Sequence, residues 1–303
     1  EPGHVVEDAE AEQRVLEPGG APVAEQAPTV RGHATAEQLG ITELVAERTT
    51  WFYGSTDGRK HNIARSASNF YGIVIAPGEE FSFNKYLGDI SEEDGYKPAL
   101  IIYGGQTIEG LGGGVCQVST TLYQSVFWGG FDIGARTPHA YQVGYYNDGE
   151  GTGMDATVFN PLVDFTFTNN TEHHILIENY YNEVYESLTF KIYSTDIGRR
   201  VEKTLSYDNS RDPLEDVWEF NEELGYGEIE QVDWAAEGAT VTVERVVYNF
   251  QEEVRDRDTF VSNYIPWGNV YQYGPGVDPE NLPRGWRDRI DENRGLLNIF
   301  EDF

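Results

Sequence analysis

The single cysteine of the chain, Cys116, follows three glycines, Gly112, Gly113 and Gly114, and leads into Gln117-Val118-Ser119-Thr120-Thr121-Leu122-Tyr123. Val118, Leu122 and Val126 recur at every fourth position, which predicts a helix with Cys116 in its first turn. Unpaired N–H groups and the helix dipole favour a thiolate there, and the glycines allow a tight turn into it. A thiolate nucleophile needs a base to carry its proton and a group to orient that base. His139 and Asp155 follow in that order. The alternation of His139, Tyr141, Val143 and Tyr145 predicts a strand carrying the histidine, and Asp155 is expected to open a strand over Ala156 to Phe159. Adjacent antiparallel strands would set the two side by side across the helix mouth, with Cys116 as nucleophile, His139 as base and Asp155 as orienter. Backbone N–H groups near Cys116, with Gln117 or Ser119 beside them, are the candidate oxyanion stabilisers. The same residues have a plainer reading. A free cysteine often serves as a small buried hydrophobe, His139 as a hydrogen-bonded strand residue, and Asp155 as a turn cap.

Around this stretch the chain reads as α+β: a cysteine-headed helix packed on an antiparallel sheet, then a smaller, mostly-β domain. The element order matches papain-like and transglutaminase-like thiol enzymes in arrangement alone. A short helix is expected from Glu37 to Thr49, an amphipathic helix over Asn62 to Val74, and short strands over Glu79–Asn84 and up to Tyr103. Further strands are expected at Asp164–Thr168, Ile175–Glu178 and Leu188–Ile192, then at Val241–Tyr248 pairing with Thr259–Ile265. Composition divides the chain into an acidic Pro/Gly-rich leader (1–36), an α+β domain (37–198), a mostly-β domain (199–276) and an acidic tail (277–303) with a candidate amphipathic helix.

With 52 acidic against 21 basic residues the formal charge is −31, which argues against a nucleic-acid backbone or an anionic lipid surface as partner. No apolar run is long enough to span a membrane. The chain begins at Glu1 without an initiator Met, as a processed exported protein would. No cofactor is expected. One cysteine cannot build a thiolate zinc cage, and His173-His174 point to opposite faces of any strand. The loop from Asp148 to Asp155 offers oxygen ligands of the kind Ca²⁺ takes, but without an EF-hand pattern, and a solvated loop is the simpler reading.

Arg59-Lys60-His61-Asn62-Ile63, Pro77 to Asn84, Gly112 to Tyr123, Pro138-His139-Ala140-Tyr141 and Asp155-Ala156-Thr157-Val158 together resemble the VanW family of bacterial cell-envelope proteins. The resemblance runs from about Gln38 to Ile192. The remainder is loosely similar to the small glycine-rich β extensions such proteins carry, which are suspected of binding cell-wall glycans. It implies an extracellular or cell-surface location and a cell-wall glycan or peptide as partner; the family's biochemical role is not established, so it brings no catalytic assignment. Two functional expectations follow. One is an envelope protein acting on or binding peptidoglycan through Cys116, His139 and Asp155, by acyl transfer or amide hydrolysis. The other is a non-enzymatic subunit of a filament or surface layer, self-associating by exchange of leader or tail.

Overall fold

The computed structural model describes residues 34–103, 106–146, 149–290 and 296–299. Most of the expected leader (1–33) and much of the expected tail (291–295 and 300–303) lie outside the described residues.

In chain order the elements are β1 (Glu43–Trp51), α1 (Asp57–Ser68), β2 (Ile73–Ile75), β3 (Glu80–Ser82), α2 (Phe83–Leu87), β4 (Pro98–Tyr103), β5 (Gln106–Leu111) and α3 (Val115–Trp128). Next come β6 (Asp132–Ile133), β7 (Thr166–Thr168), β8 (Ile175–Asn182), β9 (Ser187–Ser194) and β10 (Arg200–Arg211). The last are β11 (Val217–Phe220), β12 (Glu228–Asp233), β13 (Gly238–Tyr248), β14 (Val254–Tyr264), β15 (Val270–Tyr273) and β16 (Leu296–Asn298). The fold is α+β, with helices packed against several mainly antiparallel sheets.

Two of those sheets matter for the site. The first runs β1-β9-β8-β2. Period-two alternation turns Ile175 and Ile177 of β8, and Leu188, Phe190 and Ile192 of β9, into the core. Each fully buried side chain of this kind contributes about 1.5–3 kcal/mol. The second sheet runs β10-β13-β14, and its middle strand sends Val241 and Val243 into the same core. Helix α3 is held between these contributions, buried from Gln117 to Phe127 on every side. A helix with no solvent face must satisfy its polar residues internally. Accordingly Thr121 bonds the Thr50 hydroxyl of β1 at 2.6 Å, and Ser125 donates to Phe190 O of β9 at 3.3 Å. On another face, the rings of Tyr123 and Phe127 meet Phe260 of β14 at 6.1 and 5.9 Å.

A smaller core of Ile229, Tyr271, Trp286, Leu297 and Ile299 lies in the sheet β11-β15-β12-β16 and the turn beside it.

Several expectations are corrected here. Glu37–Thr49 is a 3-10 turn (Glu37–Leu39) followed by β1, not a helix, because register with β9 from Glu43↔Ser194 to Trp51↔Ser187 overrides helix-forming side chains. The amphipathic helix starts earlier, at Asp57, where the Thr56 side chain caps it, and ends at Ser68. In the described part of the tail a 3-10 turn (Arg287–Arg289) and β16 stand where a helix was expected. Residues 139–143 form no strand, and Tyr145 falls in a 3-10 turn (Gly144–Tyr146). The strand expected after Asp155 is reduced to isolated bridges at Thr157 and Phe159.

Candidate active site around Cys116

Cys116 is the second residue of α3, and the glycines make that position reachable. Gly114, the N-cap, has φ of 112°, and a side chain there would meet Arg59 O at 2.9 Å. A Cβ on Gly113 would strike Leu100 O at 2.5 Å. The run is fixed from below by buried Asn62 of α1, whose amide donates to Gly113 O at 3.0 Å and Lys97 O at 2.9 Å. Cys116 as a residue is half-buried, and its sulfur lies 3.7 Å from Val158 O.

The segment bearing Asp155 is fastened to the same helix by its neighbours. Gln124 donates to Met154 O at 3.0 Å. Ser119 donates to Ala156 O at 2.6 Å, and the Ala156 N–H donates to Thr120 Oγ1 at 3.1 Å. Both residues flanking Asp155 are thus tied to α3, which accounts physically for the Ser-Thr-Thr run after the cysteine. Asp155 accepts two bonds at Oδ2, from the His139 backbone N–H at 2.7 Å and from the His139 ring Nδ1 at 2.6 Å. At Oδ1 it accepts from Arg136 Nη2 at 3.1 Å and from the Tyr264 hydroxyl of β14. Arg136 is fixed in turn by Ser262 Oγ of β14 at 2.8 Å and by the carbonyls of Gly153 and Asp155 at 2.9 and 2.6 Å.

These contacts set the charges. Burial pushes the Asp155 carboxyl up, but the bond and charge of His139, then Arg136 and Tyr264, hold it well below the usual carboxylate range. An ionised Asp155 only accepts, so Nδ1 of His139 carries hydrogen and Nε2 is the ring nitrogen left for the sulfur. Burial works against the imidazolium, yet its bonds to Asp155 and Cys116 raise His139 to about 9. Burial also opposes the Cys116 thiolate, and the hydrogen bond and charge of His139, with the Val158 backbone, outweigh it and lower the thiol from its ordinary value of 9.0. The arrangement favours a thiolate–imidazolium pair backed by a carboxylate.

The structure therefore brings Cys116, His139 and Asp155 together, although neither His139 nor Asp155 sits on a regular strand. The side chains of Gln117 and Ser119 are placed otherwise than expected for oxyanion support. Gln117 Nε2 donates to Thr50 Oγ1 at 2.6 Å and its Oε1 accepts from Arg59 at 2.8 Å, while Ser119 is committed to Ala156. Both act as braces. Arg136, Tyr146 and Tyr264 carry no role in the sequence reading. The Tyr146 ring lies 5.1 Å from that of His139. Arg136 sits three residues before His139, a signal that a buried carboxylate nearby could have flagged; Tyr264 lies too far along the chain to be connected from sequence.

Among the described residues no group of three or more acidic, His or Cys side chains is placed to hold a metal ion. In the loop weighed for Ca²⁺, Asp148 lies outside the described residues, Glu150 is paired with Arg48 at 2.8 Å and Lys203 at 2.5 Å, and Asp155 is saturated by the donors above. No helix among the described residues is long and apolar enough to cross a membrane.

Comparison with known proteins places this site in context. Residues 58–193 match the family model described as VanW like protein. The chain is 38% identical over 165 residues to the "Uncharacterized protein YoaR" of Bacillus subtilis, a match covering 54% of this chain and 50% of that protein. It is 28% identical over 117 residues to the "Vancomycin B-type resistance protein VanW" of Enterococcus faecalis, covering 38% of this chain and 42% of the relative. These alignments thus take in half or less of each relative's length. Among solved structures, the "IgA1 Protease G5 domain structure" overlaps 26% of this chain and 94% of that one, at 16% identity and a TM-score of 0.16. Cys116, His139 and Asp155 all fall inside the matched segment, and the protein carries a VanW-family domain over residues 58–193.

Proposed function

We propose that this chain is an exported cell-envelope protein whose VanW-family domain acts on the peptide part of peptidoglycan as a cysteine-dependent acyl transferase or amidohydrolase. The observation that carries the reading is the pair of hydrogen bonds that His139 donates from its backbone N–H and its ring Nδ1 to Asp155 Oδ2, which leaves the other ring nitrogen for the helix-borne Cys116. In the proposed reaction the Cys116 thiolate attacks an amide carbonyl carbon, and a C–S bond forms. The oxyanion is met by the Cys116 backbone N–H, which as the second residue of α3 has no acceptor within the helix. The C–N bond then breaks and the amine leaves with the proton of the His139 imidazolium. Water, or a second amine, attacks the thioester, gives its proton to His139 and releases Cys116. Helix-borne cysteine, then histidine, then the side chain that orients it is the order of papain-like and transglutaminase-like enzymes; here it supports the chemistry and not a shared fold. The VanW-family match supports an envelope location.

The test is incubation of the protein with purified peptidoglycan and soluble muropeptides, followed by mass spectrometry. The expected result is a change in muropeptide mass, or an acyl adduct on Cys116, that Cys116→Ala abolishes. Identical product spectra for both proteins, with no adduct, would contradict the proposal.

A further inference from the structure

Arg59, on the first turn of α1, stands at the edge of the thiol site with no charged partner among the described residues. Its Nη1 donates to Ser55 Oγ at 2.7 Å and its Nη2 to Gln117 Oε1 at 2.8 Å, both neutral acceptors. The guanidinium lies 4.2 Å from the ring centroid of Tyr145. The adjacent residue, Tyr146, holds its ring 5.1 Å from that of His139. Arg59 also hydrogen-bonds the Tyr146 hydroxyl, so this one side chain lies between the guanidinium and the imidazole, and the charges of Arg59, Cys116 and Asp155 all act on it.

The contrast with Arg136 is informative. That arginine, on the inner side of the site, is neutralised by Asp155. Arg59 is half-buried in a chain with 52 acidic residues, yet the described structure gives it only hydroxyl, amide and ring partners. Holding a partly desolvated cation without a counter-charge is costly unless an anion completes it. A guanidinium has five N–H donors in a planar fork; the bonds to Ser55, Gln117 and the Tyr146 hydroxyl leave donors over, and that fork suits a carboxylate.

We infer that Arg59, backed by Tyr145, is a carboxylate-binding position of the thiol site, so that the acyl compound it accepts carries a free carboxylate near the reacting carbonyl. This inference rests on the thiol-site reading above. The position selects the substrate: a carboxylate gains an ion pair at the rim, whereas its amide leaves the cation unmatched.

Iodoacetate and iodoacetamide test this directly, because both transfer a two-carbon group to sulfur with loss of iodide and differ in carboxylate against amide. Their rates at Cys116 are measured for the wild type, Arg59→Gln, Arg59→Lys and His139→Ala. The expected result is a fall of about five-fold in the iodoacetate-to-iodoacetamide ratio in Arg59→Gln, the scale of one partly exposed ion pair, with partial recovery in Arg59→Lys. A ratio equal to that of the wild type in Arg59→Gln overturns the inference. If that variant fails to fold, the unaltered protein decides. N-acetylalanine should protect Cys116 from iodoacetamide where N-acetylalaninamide does not, and equal protection by the two, or none, overturns the inference. The underlying reading fails separately, if His139→Ala alkylates with iodoacetamide as fast as the wild type at neutral pH.

Discussion

The β1-β9-β8-β2 and β10-β13-β14 sheets both pack on helix α3, yet they offer it different chemistry. The first meets it with Leu188, Phe190 and Ile192 and with uncharged hydrogen bonds such as Thr50 to Thr121. The second adds charged and donor groups at core-facing positions. Arg245 of β13, only 1% exposed, donates to Phe127 O in the last turn of α3 and to Phe131 O just beyond it, at 3.1 and 3.0 Å. Ser262 and Tyr264 of β14 hold Arg136 and Asp155. One sheet positions the helix; the other positions the charges around its cysteine. The second sheet begins at Arg200, beyond the matched segment 58–193, so Asp155 is held from outside that segment by Tyr264 as well as from within it by His139 and Arg136.

Substitutions on the two sheets should separate these roles. Phe190→Ala on β9 is expected to cost about 3–5 kcal/mol of unfolding free energy by transfer loss and cavity formation. Urea melts across pH would show the whole stability curve lowered with its acid limb at an unchanged pH. Tyr264→Phe on β14 is expected to cost less, about 1.5–3 kcal/mol for a hydrogen bond to a charged group, but to move the acid limb. The sign follows from the Tyr264 bond stabilising the ionised Asp155. In the wild type the Asp155 contribution is present above its ordinary value of 3.8 and is lost as pH falls towards its depressed folded value. Without the tyrosine hydroxyl the folded value is less depressed, so that loss is complete at a higher pH and is smaller in total. If Phe190→Ala shifts the acid limb and Tyr264→Phe does not, the division of labour is wrong.

Ser119→Ala, on the helix itself, removes the 2.6 Å bond to Ala156 O while Thr120 remains near that carbonyl, so the expected loss is about 1 kcal/mol in a denaturant melt. At the alkaline end, His139 is raised from 6.5 to about 9, so its contribution is complete below 6.5 and is lost as pH rises through about 9. His139→Ala should flatten that part of the stability profile.

The helix and its cysteine were legible because glycine run and four-residue apolar spacing report local geometry. The order Cys116, His139, Asp155 stands in the sequence itself, whereas the contact between His139 and Asp155 is a property of the folded chain. The secondary structure around His139 was not legible. Its alternation with Tyr141, Val143 and Tyr145 imitates a strand, but the segment is held by side chains instead: Asp155 takes the His139 N–H, and Tyr141 stacks on Trp267 at 4.5 Å. Glu43–Trp51 misled in the opposite direction, since helix-forming residues yielded to pairing with β9. Gln117 is polar and next to the cysteine, which made it a natural oxyanion candidate. Only its long-range partners, Thr50 and Arg59, reveal that it braces the helix. Contacts between residues as distant in sequence as Tyr264 and Asp155 leave no local trace.

The central claim is that Cys116 and His139 form a thiolate–imidazolium pair. Its most direct test is the iodoacetamide alkylation rate of Cys116 against pH, for the wild type and His139→Ala. The account predicts substantial wild-type reactivity well below pH 9, with a second rise as His139 loses its proton near 9, and a single step at higher pH in the variant. One ordinary thiol titration at or above pH 9 in both proteins would contradict it.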